Sequence, residues 1–215
     1  MVKHPLWSDE DWLLLMQLYI QKPAGVKALY SKGLIDLSLE LHIPPTYLYK
    51  AMFHIHNQDL PSVNKLWKTY SHNHKKLNRM VDKLRQMKGF NHFQLFYEDV
   101  PIHHTFEKDF LPISNDSPLT PMMLIIILDL YFRLTPNTMR TTTPEIQELA
   151  TLMHISERVI TEVMDVFQYC DPYLNRNDII ISPLLQPCHD IWQRYGNGNP
   201  LKLAALAAQL KEYFR

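Results

Sequence analysis

Apolar residues recur along the chain with the spacing of α-helices. In GLIDLSLELHI they fall at positions 34, 37 and 41, and in EIQELATLMHI at 146, 149 and 153. Steps of three and four residues place side chains on one helix face. The runs WLLLMQLYI (12–20) and LIIILDLYF (124–132) are apolar nearly all round, which predicts buried central helices. No stretch alternates convincingly over strand length, and NDIIIS (177–182) is the nearest case, so the pattern predicts an all-α protein.

The same pattern occurs twice, at an offset of 112 residues. LMQLYI (15–20) matches ILDLYF (127–132), and the match continues without a gap to about residue 59 of the first copy. The matched pairs include Tyr19/Tyr131, Leu37/Leu149, His42/His154, Ile43/Ile155 and Asp59/Asp171. Ser8 precedes the first helix and Thr120 the second, and both are good N-caps. Such self-similarity predicts two tandem helical-bundle repeats, each of four or five helices.

The repeats divide the chain into three regions: repeat one at 1–88, a linker at 89–118 and repeat two at 119–215. After an insertion in the second copy, LWKTY meets IWQRY, which predicts that Trp67 and Trp192 are equivalent core anchors. The linker is rich in aromatic residues, so we expect it to pack against both repeats. These residues are Phe90, Phe93, Phe96, Tyr97, Phe106 and Phe110.

The second and third helices of each copy are joined by a tight turn, as in a helix-turn-helix. Ser38 and Ala150 are small residues at the position where the two helices cross closely. His42 and His154 occupy the turn position where Gly is usual. The pattern predicts a helix-turn-helix-like corner in each repeat, and many helical bundles contain such a corner without binding DNA.

Several phrases of the sequence resemble a known helical module. They are WSDEDWLLLMQLY and LIDLSLELHIPPTYLYKAMFHIHNQD in the first copy, and LDLYFRLTP, PEIQELA and CDP in the second. Residues 7–59 and 119–172 are similar to the module that precedes the nuclease domain in bacterial HNH endonucleases. The resemblance implies a DNA-associated, non-catalytic accessory module, since no H-N-H-like cluster of metal ligands follows either copy. The whole chain also resembles a Bacteroidetes protein family, which implies no activity.

Composition excludes several classes of protein. The chain of 215 residues is 46% hydrophobic and 20% charged with five Gly, which indicates a folded globular protein. The longest apolar run, at 122–128, is too short to cross a bilayer, and the N-terminus shows no secretory signal. We therefore expect no membrane partner and a cytoplasmic location. Cys170 and Cys188 are too few for a disulfide framework and are expected to be buried thiols.

Charge is unevenly distributed along a chain of zero net charge. Residues 1–100 hold 13 Lys and Arg against 9 Asp and Glu, a net charge of +4, and residues 101–215 carry −4. Between 65 and 88, eight cations stand against Asp82 alone. Within this segment Lys76, Arg79 and Lys83 share one helix face, which suits either a phosphate-binding stripe or a solvated surface. Lys68 and Lys75 complete the candidate set.

The third helix of repeat one is the candidate base-contacting helix. Its outward positions are predicted to be Thr46, Tyr49, Lys50, Phe53 and His54, since Leu48, Ala51, Met52 and Ile55 fit a buried face. The matching positions of repeat two are Arg158, Thr161, Glu162, Asp165 and Val166. Two carboxylates there would repel phosphates, so we expect repeat two to serve packing or partner binding.

The sequence shows no catalytic constellation, no metal-ligand set among its eleven His and no cofactor motif. The leading hypothesis is a non-enzymatic DNA-binding protein that acts mainly through repeat one. The alternative is a protein-interaction or scaffolding module with a protein partner and no nucleic acid. An enzyme of unrecognised type is a third possibility. The sequence names neither a DNA site nor an oligomeric state.

Overall fold

The computed structural model describes residues 4–87, 106–115, 117–174, 176 and 181–215. All regular secondary structure in these residues is helical, which confirms the all-α prediction. The chain divides into two compact units, unit 1 at 1–105 and unit 2 at 106–215. The segment NDIIIS (177–182), the nearest approach to a strand pattern in the sequence, lies mainly outside the described residues.

Unit 1 is a bundle of five helices around an apolar first helix. The helices are α1 (Asp11–Ile20), α2 (Lys32–Leu41), α3 (Pro45–Asn57), α4 (Pro61–Tyr70) and α5 (His74–Gln86). Helix α1 packs against α2, α3 and α5, and α4 packs against α3 and α5. Leu14 and Leu15 of α1 are buried in the centre, together with Leu34 and Leu48. An apolar helix with partners on several sides is the arrangement that its sequence predicts.

Unit 2 has the same order of helices. They are α6 (Pro121–Arg133), α7 (Pro144–Met153), α8 (Glu157–Cys170), α9 (Leu185–Ile191) and α10 (Pro200–Leu210). A π-helical turn, Trp192–Gly196, follows α9, and a 3₁₀ turn, Lys211–Phe214, follows α10. Every residue of α6 from 122 to 131 is buried, and α6 packs against α8, α9 and α10. Among the described helices, none combines the length and hydropathy that a membrane crossing requires.

The predicted corners are present in both units. Helices α2 and α7 begin and end 112 residues apart. His42 and His154 end them in the left-handed conformation, with φ of 55° and 56°. Ser38 and Ala150 are buried, and the carbonyl of each accepts the N–H of the residue that follows the corner His at 3.1 Å. The Ser38 hydroxyl also donates to the Ile43 carbonyl. These matching contacts are those that a duplication predicts, and the duplication itself stays a hypothesis.

One aromatic pair recurs, but its burial differs between the units. Tyr19 and Trp67 meet edge to face with ring centroids 5.8 Å apart, and Tyr131 and Trp192 do so at 5.9 Å. Trp192 is 5% exposed, whereas Trp67 is only half-buried. The expectation that both are equal core anchors is therefore wrong for Trp67. Trp192 lies against the rings of Tyr131, Phe132 and Phe167, which cover its indole.

The hydroxyl partners of this tyrosine pair also differ. The Tyr19 hydroxyl lies 3.0 Å from Nδ1 of His56, and the Tyr131 hydroxyl donates to the Asp171 carboxylate at 2.9 Å. Asp59, which stands at the position matching Asp171, lies 2.9 Å from Nδ1 of His54 instead. A matched aspartate thus has a different partner in each unit.

One of the two predicted N-cap residues is confirmed. Thr120 caps α6 by accepting the N–H of Met123, with Pro121 in the first turn, as expected. Ser8 is not the N-cap of α1, because that helix begins at Asp11. The Ser8 N–H donates instead to the Asp11 carboxylate at 2.7 Å, so only one of the two bonds of a capping box forms.

The described end of the linker belongs to unit 2. Residues Phe106–Asp109 form a 3₁₀ turn, and Arg194 donates two hydrogen bonds to Asp109 at 2.7 and 2.8 Å. Phe106 and Phe110 are half-buried. The other four linker aromatics lie outside the described residues, so packing of the linker against both repeats stays a prediction.

Candidate nucleic-acid interface

Helix α3 presents the residues predicted to contact bases. Pro44 precedes the helix in an extended conformation and Pro45 occupies its first turn, where a missing N–H costs nothing. The inward face is confirmed, since Leu48, Ala51, Met52 and Ile55 are all buried. Thr46, Lys50 and Phe53 are exposed, whereas Tyr49 and His54 are half-buried.

Three of these outward side chains contact neighbours. The rings of Tyr49 and Phe53 meet edge to face with centroids 5.2 Å apart. The imidazole of His54 lies against Asp59, and its ring stands edge to face with Trp12 at 6.4 Å. Lys50 and Thr46 are therefore the freest polar side chains on this face, and His54 can offer only its other ring nitrogen.

Helix α5 separates its apolar and basic residues sharply. Leu77, Val81 and Leu84 are buried, while Met80 is half-buried. Asn73 caps the helix by accepting the Lys76 N–H at 3.0 Å. The predicted cations on α5 are all exposed: Lys75, Lys76, Arg79 and Lys83. None of these four forms an ion pair within the described part of the chain, so their charges are available to a partner.

The cations around this face differ in the contacts that they make. The Lys76 ammonium stands 5.4 Å from the centroid of the Tyr70 ring, which orients it at the start of α5. Lys68 is exposed on α4. Arg85 is bound to Glu40 of α2 by two hydrogen bonds of 2.6 and 2.8 Å. The basic cluster therefore loses Arg85, whose charge is matched, and Lys88 lies outside the described residues.

The two candidate surfaces lie on helices that share neighbours. Both α3 and α5 pack against α1 and against α4. The outward residues of α3 and the basic face of α5 are therefore two surfaces of one bundle.

The matching helix of unit 2 has another character. Arg158 forms an ion pair with Glu162 one turn later at 3.0 Å, and Asp165 is exposed. Val166 is 4% exposed, so its assignment to the outward face is wrong. It matches His54, a position at the boundary of two faces, where an apolar side chain packs inward. The outer face of α8 is short of cations that could bind phosphate.

Chemistry at the cysteines and histidines is limited by their surroundings. Burial raises the pKa of Cys170 to about 11 and that of Cys188 to about 12, so both are thiols at neutral pH rather than thiolate nucleophiles. Cys188 is buried and Cys170 half-buried. The described residues contain no group of three or more His, Cys, Asp or Glu placed to hold a metal ion.

Sequence reasoning missed two features of unit 1. The Arg85–Glu40 pair joins residues 45 positions apart and has no local signal. Trp7, Trp12 and Tyr47 line a cleft of about 230 Å³, and the tryptophans that bracket SDED are its sequence signal. Comparison of the chain with protein families, curated proteins and solved structures finds no match.

Proposed function

We propose that the protein is a non-enzymatic nucleic-acid-binding protein that acts mainly through unit 1. The observation that carries the proposal is the exposed basic face of α5. Lys75, Lys76, Arg79 and Lys83 project from a helix whose opposite side is buried, and Asp82 is the acidic residue among them.

The spacing of this face suits a phosphate backbone. Lys76, Arg79 and Lys83 span two turns of helix, roughly 10 Å at 1.5 Å per residue. Phosphates of one strand recur about every 3.4 Å along the duplex axis, so a stripe of this length can neutralise several at once with release of condensed counterions. The positive end of the helix dipole, at His74–Lys76, adds to the same field.

Helix α3 supplies the second element of the proposal. It follows a tight corner, and Thr46, Tyr49 and Lys50 lie on its outer side. Lysine can donate to guanine edges and phosphates, and hydroxyl groups to either. The likeness of residues 7–59 to the module that precedes HNH nuclease domains supports the same use.

Salt-dependent binding tests the proposal. We expect the full chain to bind labelled duplex DNA in fluorescence anisotropy at about 50 mM salt, with affinity falling steeply toward about 200 mM. The triple variant Lys76→Ala, Arg79→Ala, Lys83→Ala should flatten the log–log salt slope by up to about three units, for all sequences alike. Arg158→Ala is the control, because Glu162 already matches that charge, and it should change little.

The base-contacting role of α3 needs a different comparison. Tyr49→Ala and Lys50→Ala should weaken binding to a selected preferred site by about 1–3 kcal/mol and to random duplex by less. Equal losses on both DNAs would reduce α3 to a phosphate-binding element. Absence of binding at low salt would refute the nucleic-acid proposal as a whole.

A second function is favoured by a separate observation in unit 2. Six of the eight exposed large hydrophobic residues of the described chain lie there. They are Leu111, Phe132, Tyr173, Leu174, Ile181 and Leu201. A contiguous patch of exposed apolar side chains marks a protein-interaction surface, whereas singly scattered apolar residues do not. A scaffolding role through such a patch becomes the leading proposal if DNA binding is absent.

A further inference from the structure

Helix α3 carries an exposed aromatic ring within the face assigned to nucleic acid. Phe53 is 39% exposed, and in the described part of unit 1 the only other exposed large hydrophobic residue is Met87. Tyr49 lies one helical turn before Phe53, and the exposed Lys50 follows Tyr49 directly. Contacts to base edges and phosphates use the polar side chains of this face and leave the Phe53 ring without a role.

The geometry of the ring pair leaves part of Phe53 open. The rings of Tyr49 and Phe53 stand at 86° to each other, with centroids 5.2 Å apart. In such a pair one ring directs its edge at the face of the other. Tyr49 therefore covers at most one face of Phe53, and no other ring contacts Phe53 in the described residues. Because Phe53 is exposed, a flat ligand can reach its ring from the side away from Tyr49.

A nucleobase is the flat ligand that the neighbouring side chains favour. Stacking of a base on an aromatic side chain contributes about 5- to 150-fold in affinity and tolerates any sequence, since every base has a π-face. Lys50 is placed to bind a phosphate beside such a base. In duplex DNA the neighbouring base pairs cover the base faces, and only the base edges reach the grooves. Stacking on Phe53 therefore requires an unpaired base.

We propose that unit 1 binds single-stranded DNA more tightly than duplex DNA, with an unpaired base stacked on Phe53 and Lys50 on an adjacent phosphate. This inference rests on the proposed function, because the basic face of α5 supplies further phosphate contacts. Phosphate contacts alone favour the duplex, which has the higher charge density and a salt slope of about −0.9 per contact against about −0.7 for single strands. A preference for the single strand therefore comes from the bases and not from the cations.

Competition binding with the full chain tests the preference. A labelled single strand of about 20 nucleotides is bound at about 50 mM salt and displaced by the same strand without label, either single or annealed to its complement. We expect the single strand to compete at least about 5-fold better than the duplex. An abasic strand of equal length keeps the phosphates and should compete at least about 5-fold more weakly than the strand with bases.

The outcomes separate this inference from the proposed function. Equal or tighter binding of the duplex would overturn the preference for single strands and leave the nucleic-acid proposal standing. Equal binding of the abasic strand would do the same, because it would show that phosphates alone are bound. Absence of binding to every DNA would overturn both.

Substitution of Phe53 tests the stacking contact. Phe53→Leu keeps an apolar side chain but removes the flat ring, so affinity for the single strand should fall by about 5- to 30-fold and affinity for the duplex by less. Phe53→Tyr restores a ring and should recover most of the loss seen in Phe53→Leu. Phe132→Leu is the matched control, because Phe132 is 40% exposed in unit 2, and it should leave both affinities unchanged.

Two results with Phe53→Leu would overturn the inference even if the wild type prefers single strands. One is an unchanged affinity for the single strand. The other is an equal loss on single strand and duplex, which would show that Phe53 contacts a base edge or a thymine methyl group rather than a base face.

Discussion

Replacing Trp192 by Ala is the sharpest test of how unit 2 is held together. The indole is 5% exposed and lies among three aromatic rings. Its centroid is 5.9 Å from that of Tyr131, 5.5 Å from Phe132 and 6.2 Å from Phe167. The backbone of Gly196 closes against the ring from the following turn, so neighbouring side chains have little freedom to fill the space that the indole leaves.

The size of the effect follows from the buried area. A large aromatic side chain buries about 150–250 Å², which at about 25 cal/mol per Å² corresponds to roughly 4–6 kcal/mol. Compactness of the unfolded chain lowers this figure. We expect Trp192→Ala to reduce the free energy of unfolding by about 3–5 kcal/mol, the range for truncating a buried Trp.

Trp67→Ala is the comparison that the two units provide. Trp67 has the same edge-to-face tyrosine partner but is only half-buried, so its loss should cost about 1–3 kcal/mol. Urea denaturation followed by far-ultraviolet circular dichroism measures both. Equal costs, or a larger cost for Trp67, would show that burial of the indole does not determine its contribution here.

Three further predictions concern backbone and protonation. Gly196→Ala should lower the free energy of unfolding by about 1–3 kcal/mol, because a Cβ there would lie 2.6 Å from the Trp192 ring. Gly198→Ala should lower it less, because the nearest atom to its Cβ is 3.2 Å away. Thermal melts of both variants measure the difference. His154→Gly should raise the free energy of unfolding by about 0.5–1 kcal/mol, because φ is 56° there. His154→Ala should not raise it. A lower free energy of unfolding in the Gly variant would contradict this. Burial and a carboxylate partner raise the pKa of Tyr131, so folding favours the protonated phenol. This stabilisation is complete below about pH 10 and lost at higher pH. Urea denaturation at each pH should show that the free energy of unfolding falls less steeply above about pH 10 in Tyr131→Phe than in the wild type.

The sequence predicts the helices well because their signals are local. The apolar spacing at 34, 37 and 41 and at 146, 149 and 153 lies within α2 and α7. The buried face of α3 was also predictable, since four apolar residues at helical spacing leave little choice of orientation. Thr120 was recognisable as a cap because Pro121 follows it directly.

The remainder depends on contacts between distant residues. Nothing near Arg85 indicates that Glu40 will match its charge, so a count of cations along the sequence overstates the basic face. Trp67 and Trp192 stand in similar sequence contexts, and their burial differs because different segments cover them. The cleft beside Trp7 forms because Tyr47, forty residues away, packs against Trp7. Sequence spacing alone does not encode that contact.

The aspartates at 59 and 171 bear on how contacts could be inferred from homologous sequences. Asp59 pairs with His54 in its own neighbourhood, and Asp171 pairs with Tyr131 forty residues earlier. An alignment that pooled both copies as one family would contain a single aspartate column with two different partner columns. Covariation between that column and either partner would be diluted by the copy that lacks the contact. Aligning the two halves separately would keep each signal intact.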